Sequence, residues 1–160
     1  MAYTVIRTDL LSGTDVAADL VSLRVYDAGD NQIPVENGTI VELKGYEDGQ
    51  REVMKAVLAT SDSKMDDCAI VATEEVFYDE RKKNLDEYIN EAGTICRGYI
   101  PRSRNIFSVT KEGFVDGTAP AKDATVTIGA NGKLTAGTGF GSVMDIETAG
   151  RYTYYVIKIA

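Results

Sequence analysis

The chain has 160 residues, a net charge of −8 and an apolar fraction of 44%, values typical of a soluble globular domain with its own core. Its acidity disfavours direct binding to nucleic acid, because carboxylates and phosphates repel each other. The sequence contains no histidine, which removes the usual general base and the commonest metal ligand of proteins.

Neither membrane insertion nor secretion is indicated. No apolar run approaches the roughly 20 residues of a membrane span, and the N-terminus, MAYTVIRTDLLSG, lacks the basic and then apolar order of a signal peptide. Cys68 and Cys96 each have apolar neighbours, so we expect two buried, reduced thiols in a protein made in the cytoplasm.

The N-terminal region combines two β-like stretches with polar sequence. Tyr3–Arg7 is compatible with a short strand, Ser12–Asp15 with a loop, and the alternating Leu20–Asp27 with a second strand. We interpret residues 1–22 as an extended N-terminal arm and residues 23–160 as a single β-rich domain. Such an arm gains order only against a partner, so deletion of Met1–Leu11 is expected to weaken partner binding and to leave the domain folded.

The rest of the chain consists mainly of short strand-like runs separated by turns. Asn131-Gly132 lies between two alternating runs, the strongest short hairpin signal, and the sequences EDG and Ala149-Gly150 predict two further hairpins. The predicted strands are Gly38–Tyr46, Arg51–Thr60, Cys68–Ala72, Thr94–Ile100, Asn105–Phe114, the runs flanking Asn131-Gly132, Ser142–Glu147 and Arg151–Ile159.

Two strand starts repeat nearly the same phrase, NGTIVELKGY at Asn37–Tyr46 and AGTICRGY at Ala92–Tyr99. In both, a glycine leaves a turn, a threonine begins extended structure, and apolar residues enter the core. The likeness ends within eight residues. It therefore indicates shared strand-entry chemistry rather than an internal duplication.

Residues 61–93 interrupt the strand pattern as an insertion. Within it, Glu74–Gly93 is the one helix-like region, because Leu85, Tyr88 and Ile89 have helical spacing. The apolar stripe is short, so we expect either one short helix or an irregular excursion. The predicted fold is mainly β, a β-rich α+β domain: a small barrel-like or sandwich-like domain with hairpins, this insertion and the N-terminal arm.

No motif indicates chemistry. The glycine-rich Thr135–Ser142 lacks the Gly-Lys-Ser/Thr of a phosphate loop, and the acidic stretches Asp27–Asn31 and Asp62–Asp67 lack the spacing of a calcium loop. A pair of catalytic carboxylates is an open alternative, but no motif identifies which two acidic residues would form it. We therefore predict no catalytic residue, no cofactor and no metal site, and a protein that is not an enzyme.

A basic cluster, RGYIPRSR, stands out in this acidic chain. It contains Arg97, Arg102 and Arg104. Two interpretations are open: a solvated loop, or a contact patch for an acidic protein surface.

The C-terminal part of the chain is similar to a known class of virion proteins. The stretch GTICRGYIPRSRNIFSVTKEGF, followed by KDATVTIGANGKLTAGTGFGSVMDIETAGRYTYYVIKI, resembles the head decoration (cement) proteins of tailed bacteriophages. The likeness lies in the order of elements: a strand, a turn with GKLTAGTGFGSV, an acidic strand and a closing aromatic strand. It covers about residues 38–159, and the insertion at 61–93 departs from the smallest members of that family.

The resemblance implies a structural role. The expected partner is the major capsid protein, whose lattice the chain would stabilise from the outer surface of the capsid, and the expected location is the virion. A dimer or trimer on the capsid is left open. The candidate contact residues are Arg97, Arg102, Arg104, Tyr3, Ile6 and Arg7. The alternatives are another virion component, such as a head-fibre base or a tail protein, and, from another class, a small carboxylate-dependent enzyme.

Overall fold

In the part of the chain that the structure describes, ten β-strands form two five-stranded sheets. The computed structural model describes residues 1–8, 19–79, 81–82 and 84–160, and the predicted loop Ser12–Asp15 lies outside them. The prediction of a mainly β fold is confirmed. Among the described residues, no helix has the length and apolar character needed to cross a membrane.

The first sheet closes into a barrel in the strand order β1-β3-β2-β4-β5. Strands β1 and β3 run parallel, whereas the other neighbouring pairs, including the closing pair of β1 and β5, are antiparallel. Closure leaves this sheet without the unpaired edges that invite aggregation. Its strands are β1 (Leu20–Tyr26), β2 (Ile40–Glu47), β3 (Gln50–Leu58), β4 (Cys68–Val71) and β5 (Cys96–Tyr99).

The second sheet is open and antiparallel, in the order β6-β10-β9-β7-β8. Strands β9 and β10 form its long central hairpin, and a bulge interrupts their pairing beside Val156 and Ile157. The strands are β6 (Ile106–Val109), β7 (Thr125–Ile128), β8 (Leu134–Ala136), β9 (Gly141–Ala149) and β10 (Tyr152–Ile159).

The three predicted hairpins are present as β2–β3, β7–β8 and β9–β10. At the tip of the β7–β8 hairpin, Asn131 and Gly132 have φ values of 56° and 69°. These positive values are the conformation that makes Asn-Gly favourable in tight hairpins. Local turn chemistry therefore determines this hairpin.

The repeated sequence precedes two strands that begin in the same way. Gly38 and Gly93 both have φ of +83°, a left-handed conformation that glycine adopts without steric cost. Strand β2 begins two residues after Gly38, and strand β5 begins three residues after Gly93. The repetition thus reflects two uses of the same turn before two strands of one barrel.

Two groups of buried apolar side chains form the interior. The first fills the barrel, and the second lies between the barrel and the second sheet. Adjacent residues on β2 illustrate the division, because Val41 belongs to the barrel core and Ile40 to the shared core. The barrel core comprises Leu23, Val25, Val35, Val41, Ala56, Ala69, Val71 and Cys96. The shared core includes Ile6, Ile40, Cys68, Ile70, Phe107, Val109, Phe114, Leu134, Phe140, Val143, Ile157 and Ile159.

The first described part of the N-terminal segment, residues 1–8, belongs to the folded domain. Ile6 bridges to Val109 of β6 and is 1% exposed; Thr4 and Val5 are also buried. At the other end of the predicted arm, residues 20–22 are already the start of β1. Because this segment contributes side chains to the shared core, we now expect its deletion to destabilise the domain.

The predicted insertion, residues 61–93, contains β4 of the barrel, and its other described residues are mostly irregular. Its described residues contain two short 3₁₀ turns, Met65–Asp67 and Leu85–Glu87, and no α-helix; residues 80 and 83 lie outside the description. The backbone N–H of Asn84 donates to the Glu87 carboxylate at 3.0 Å and so starts a turn. The turn does not continue, since Asn90 pairs with the backbone of Val35. Of the two interpretations of this region, the irregular excursion is the one observed.

Candidate interaction surface

Arg97 lies on the outer face of the barrel. Along β5, Cys96 and Gly98 are buried while Arg97 is exposed, the alternation expected of a strand with one face in a core. A β-carbon at Gly98 would lie 2.6 Å from Leu23 Cδ2, so the barrel interior has no room for a side chain there. This arrangement fixes Arg97 in an outward position.

Arg102 and Arg104 lie in the turn that leads from the barrel to the second sheet. Arg102 donates through Nε to the carboxylate of Asp19, which is 5% exposed. Arg104 has φ of 73°, and its backbone N–H donates to the Ile159 carbonyl at 2.9 Å. The side chain of Arg104 is exposed.

The three arginines therefore differ in availability. Arg102 neutralises the buried carboxylate of Asp19, a role inside the fold. Arg97 and Arg104 are exposed, and neither forms an ion pair with any residue that the structure describes. They are two uncompensated cations on a chain whose net charge is −8.

The three N-terminal candidates are also unlike one another. Ile6 is a core residue and cannot reach a partner surface in this conformation, which corrects its assignment as a contact residue. Tyr3 is half-buried, and its backbone N–H donates to the Asp86 carbonyl at 2.9 Å. Arg7 is half-buried and lies over the ring of Tyr154, with 5.4 Å between its guanidinium carbon and the ring centroid.

The two cysteines are free and buried, as the sequence predicts. They belong to different cores, since Cys68 is in the shared core and Cys96 in the barrel. Burial raises the pKa of each thiol to about 11; at Cys68 the nearby carboxylates of Glu42 and Asp67 add to this effect. Thiols with such pKa values are poor nucleophiles at neutral pH, so both cysteines act as small core residues.

The described residues contain no cluster of three metal-binding side chains. A shallow depression of about 240 Å³ lies beside the insertion, lined partly by Val76, Phe77 and Tyr88. The Phe77 and Tyr88 rings meet edge to face, with centroids 5.6 Å apart, while Tyr78 at its rim is 96% exposed. Two groups in its lining have pKa values shifted in opposite directions: the hydrogen bond from Arg81 lowers the pKa of Asp79, and burial raises the pKa of Tyr88.

A half-buried ion pair between Glu36 and Lys133 links the N-terminal segment to the turn between β7 and β8. The Glu36 carboxylate accepts hydrogen bonds from Thr4 N–H at 2.8 Å, Thr4 Oγ1 at 2.7 Å and Lys133 Nζ at 3.0 Å. Burial alone would raise the pKa of Glu36, but the Thr4 hydrogen bonds and the Lys133 charge outweigh it and lower this pKa. The carboxylate is therefore a structural anion.

A second surface lies on the outer half of β9, where five consecutive residues, Met144–Thr148, are exposed. Met144 and Ile146 are large apolar side chains that are 43% and 40% exposed, and they alternate with Asp145 and Glu147. Sequence reasoning identified this acidic strand but not its surface. The available signal was the alternation of the apolar Met144 and Ile146 with the acidic Asp145 and Glu147.

Comparison with known proteins gives no relative: no protein-family model, no curated protein and no solved structure matches the chain.

Proposed function

We propose that the chain is a structural virion protein that binds the outer surface of a tailed-phage capsid and stabilises the lattice of the major capsid protein. The proposal starts from the resemblance of residues 38–159 to head decoration proteins. It assigns the chain a binding role, with no catalytic step, no cofactor and no contact with nucleic acid.

The observation that carries the proposal is the pair of uncompensated cations at Arg97 and Arg104. Exposed charges of one sign guide association with a surface of the opposite sign and contribute to specificity. On a chain with a net charge of −8, such cations favour a partner that presents carboxylates at matching positions. Arg102 has a lesser part, because its guanidinium is already engaged by Asp19.

A ligand that binds only the assembled shell stabilises it by mass action, and this effect is multiplied over the many sites of a lattice. The experiment is to heat capsid shells with and without the purified protein and to record the temperature at which they rupture. The wild-type protein is expected to co-sediment with expanded shells and to raise the rupture temperature. An unchanged rupture temperature despite binding would favour a display or host-adhesion role over cementing.

The contact residues are tested by charge reversal with a matched control. The double variant Arg97→Glu and Arg104→Glu is expected to lose binding to shells. The double variant Arg51→Glu and Lys64→Glu makes the same change in net charge at two other exposed cations without a described ion pair and is expected to bind normally. Equal loss in both variants would show that net charge, and not this patch, controls binding.

Labelling of intact virions separates the proposal from its main alternative. A decoration protein is distributed over the head surface, whereas a head-fibre base or a tail protein is confined to a few positions. Gold-labelled antibody confined to the tail or to a single vertex would replace the decoration role with one of these.

A further inference from the structure

The outer half of β9 has a strand neighbour on one side only. This segment, Asp145–Ala149, is called the β9 edge below. On one side it pairs with β10 through to the turn. On the other side, β7 pairs with β9 only as far as Ser142, and Val143 then exchanges backbone hydrogen bonds with Asp123 and Ala124. Beyond Val143, no residue that the structure describes forms a backbone hydrogen bond to this side.

Within the described residues, the other strand edges are covered to different extents. The barrel is closed, with β2 pairing β4 at Ile40–Glu42, and the free side of β6 is covered by the N-terminal segment. There, Arg7 N–H donates to the Ser108 carbonyl and Thr110 N–H to the Val5 carbonyl, both at 3.0 Å. The contrast matters because natural proteins usually protect exposed strand edges, so an open one is a candidate for pairing with another chain.

The turn geometry shows which backbone groups of the β9 edge point outward. The hairpin closes with a two-residue turn between Ala149 and Tyr152, and pairs in an antiparallel ladder alternate between hydrogen-bonded and closer non-hydrogen-bonded pairs. Thr148 and Thr153 form a close pair, with 3.5 Å between their hydroxyl oxygens. Thr148 and, two residues earlier, Ile146 therefore direct their N–H and C=O groups away from β10.

We propose that the β9 edge takes up an extended segment of another protein as an additional strand, with a lysine or arginine of that segment opposite Glu147 and an apolar side chain beside Ile146. Main-chain hydrogen bonds to Ile146 and Thr148 supply the affinity, and alternate side chains supply the specificity, as in other cases of strand addition. This binding site does not depend on the capsid role proposed above.

Charge determines the chemistry of the segment. Asp145 already has a cation, because Lys122 Nζ lies 3.1 Å from its carboxylate. Glu147 is exposed and forms no ion pair within the described chain. Opposite charges on facing strand residues are favourable and like charges are not. Glu147 is therefore the carboxylate that a basic residue of the incoming strand would neutralise.

The same rule disfavours a second copy of this chain. In antiparallel pairing of two β9 edges, the outward residues Ile146 and Thr148 must face outward residues of the other copy. In the register that places Ile146 of one copy opposite Ile146 of the other, Asp145 lies opposite Glu147. In the register that places Ile146 opposite Thr148, Glu147 lies opposite Glu147 of the other copy. Both registers bring carboxylates of the two copies together. Charged residues on an edge strand are one way in which proteins prevent pairing between copies.

The test uses the full chain and three blocked synthetic peptides. The first peptide is Thr-Lys-Val-Lys-Val-Lys-Thr, and the second has glutamate in place of each lysine. The third, the block-order peptide, has the same residues as the first, but its lysines are consecutive and do not alternate with valine. The measurements are binding affinity and amide hydrogen exchange. We expect the alternating basic peptide to bind tightest and, at about 90% occupancy, to slow exchange at Ile146 and Thr148 about tenfold, because exchange then proceeds from the free fraction.

Two substitutions of Thr148 distinguish binding through backbone hydrogen bonds from binding through attraction to the surface. Thr148→Pro removes an outward N–H and leaves the β10 ladder intact, as proline is tolerated on the open side of an edge strand. Thr148→Val keeps the N–H and removes only the hydroxyl. With both variants shown to be folded by circular dichroism, Thr148→Val is expected to bind the basic peptide and Thr148→Pro to lose at least tenfold in affinity.

A third substitution tests the charge rule, since Glu147→Lys is expected to reverse the preference between the basic and acidic peptides. The proposal is overturned if the block-order peptide binds as tightly as the alternating one, or if Thr148→Pro and Thr148→Val bind equally. It is also overturned if Ile146 and Thr148 become protected with increasing protein concentration alone, which would assign the edge to a second copy. None of these outcomes depends on capsid binding.

Discussion

Gly132 lies where the tip of the β7–β8 hairpin meets the barrel. Its N–H donates to the Ala59 carbonyl at 2.8 Å, and a β-carbon at this position would lie 2.1 Å from the Ile40 carbonyl oxygen. Gly150, in the β9–β10 turn, has a similar φ of +60° but open space where a β-carbon would be. The two glycines therefore share a backbone conformation and differ in what surrounds them.

This contrast predicts unequal costs for the same substitution. Gly150→Ala is expected to cost only the strain of a left-handed alanine, roughly 1–2 kcal/mol. Gly132→Ala carries the same strain and also forces the hairpin away from the barrel, so its loss of unfolding free energy should be larger by at least about 1 kcal/mol. Urea unfolding of both variants measures the difference; equal losses would show that the hairpin tip adapts without cost.

Glu36 gives the protein a defined sensitivity to acid. Its pKa is lowered in the folded state from an ordinary value of 4.5. Its contribution to stability is therefore complete above pH 4.5 and is lost as the pH falls through the lowered folded-state pKa. Glu36→Gln should cost about 1–3 kcal/mol at neutral pH.

The measurement for Glu36 is the thermal midpoint of wild type and Glu36→Gln across the acid range. The gap between the two proteins should be widest at neutral pH and should narrow below pH 4.5. Asp145→Asn is the matched control, since the pKa of Asp145 is also lowered, by Lys122, but the pair is exposed and exposed pairs contribute little. A gap for Glu36→Gln that does not change with pH would contradict the assignment.

At the scale of elements, the N-terminal segment acts as an added strand of the second sheet. Ile6 is in the shared core together with Val109 and Phe107. Ile6→Ala should therefore lower the free energy of unfolding by about 2–5 kcal/mol, the usual cost of such a truncation in a core.

Removal of residues 1–7 should cost more than Ile6→Ala, because it also removes the hydrogen bonds from Thr4 to Glu36. Met1→Ala is the control, as Met1 is fully exposed. Thermal denaturation measures all three proteins. A truncated protein as stable as wild type would return this segment to the role of a dispensable arm.

The elements that could be predicted from sequence are those specified by neighbouring residues. Asn131-Gly132 specified its hairpin, and the alternation around Cys96 and Gly98 specified the outward position of Arg97. The parallel pairing of β1 with β3 was not predicted, because no local pattern identifies a strand's partner. For the same reason the ion pair of Arg102 with Asp19, 83 positions away, was not predicted.

At the scale of the whole molecule, the barrel and the second sheet share one core. Ile40, Cys68 and Ile70 of the barrel pack in the same cluster as Phe140 and Ile157 of the sheet. Neither half buries its apolar surface alone, so we expect a single cooperative unfolding transition.

Cooperativity is measured with one local and one global probe. In a Cys68→Ala variant, the thiol of Cys96 reports on the barrel core, and the near-ultraviolet circular dichroism of the nine tyrosines reports on both halves. Both signals should change at the same urea concentration. Reaction of the thiol at a clearly lower concentration would show that the barrel opens independently.

The covering of β6 by the N-terminal segment also determines the order in which a growing chain can complete its fold. Val5 pairs with Thr110, 105 positions later, and Thr4 reaches Lys133 after 129 positions. Residues 4–6 thus wait until more than a hundred later residues have been synthesised before their partners exist. During synthesis this β-branched stretch is exposed to other nascent chains.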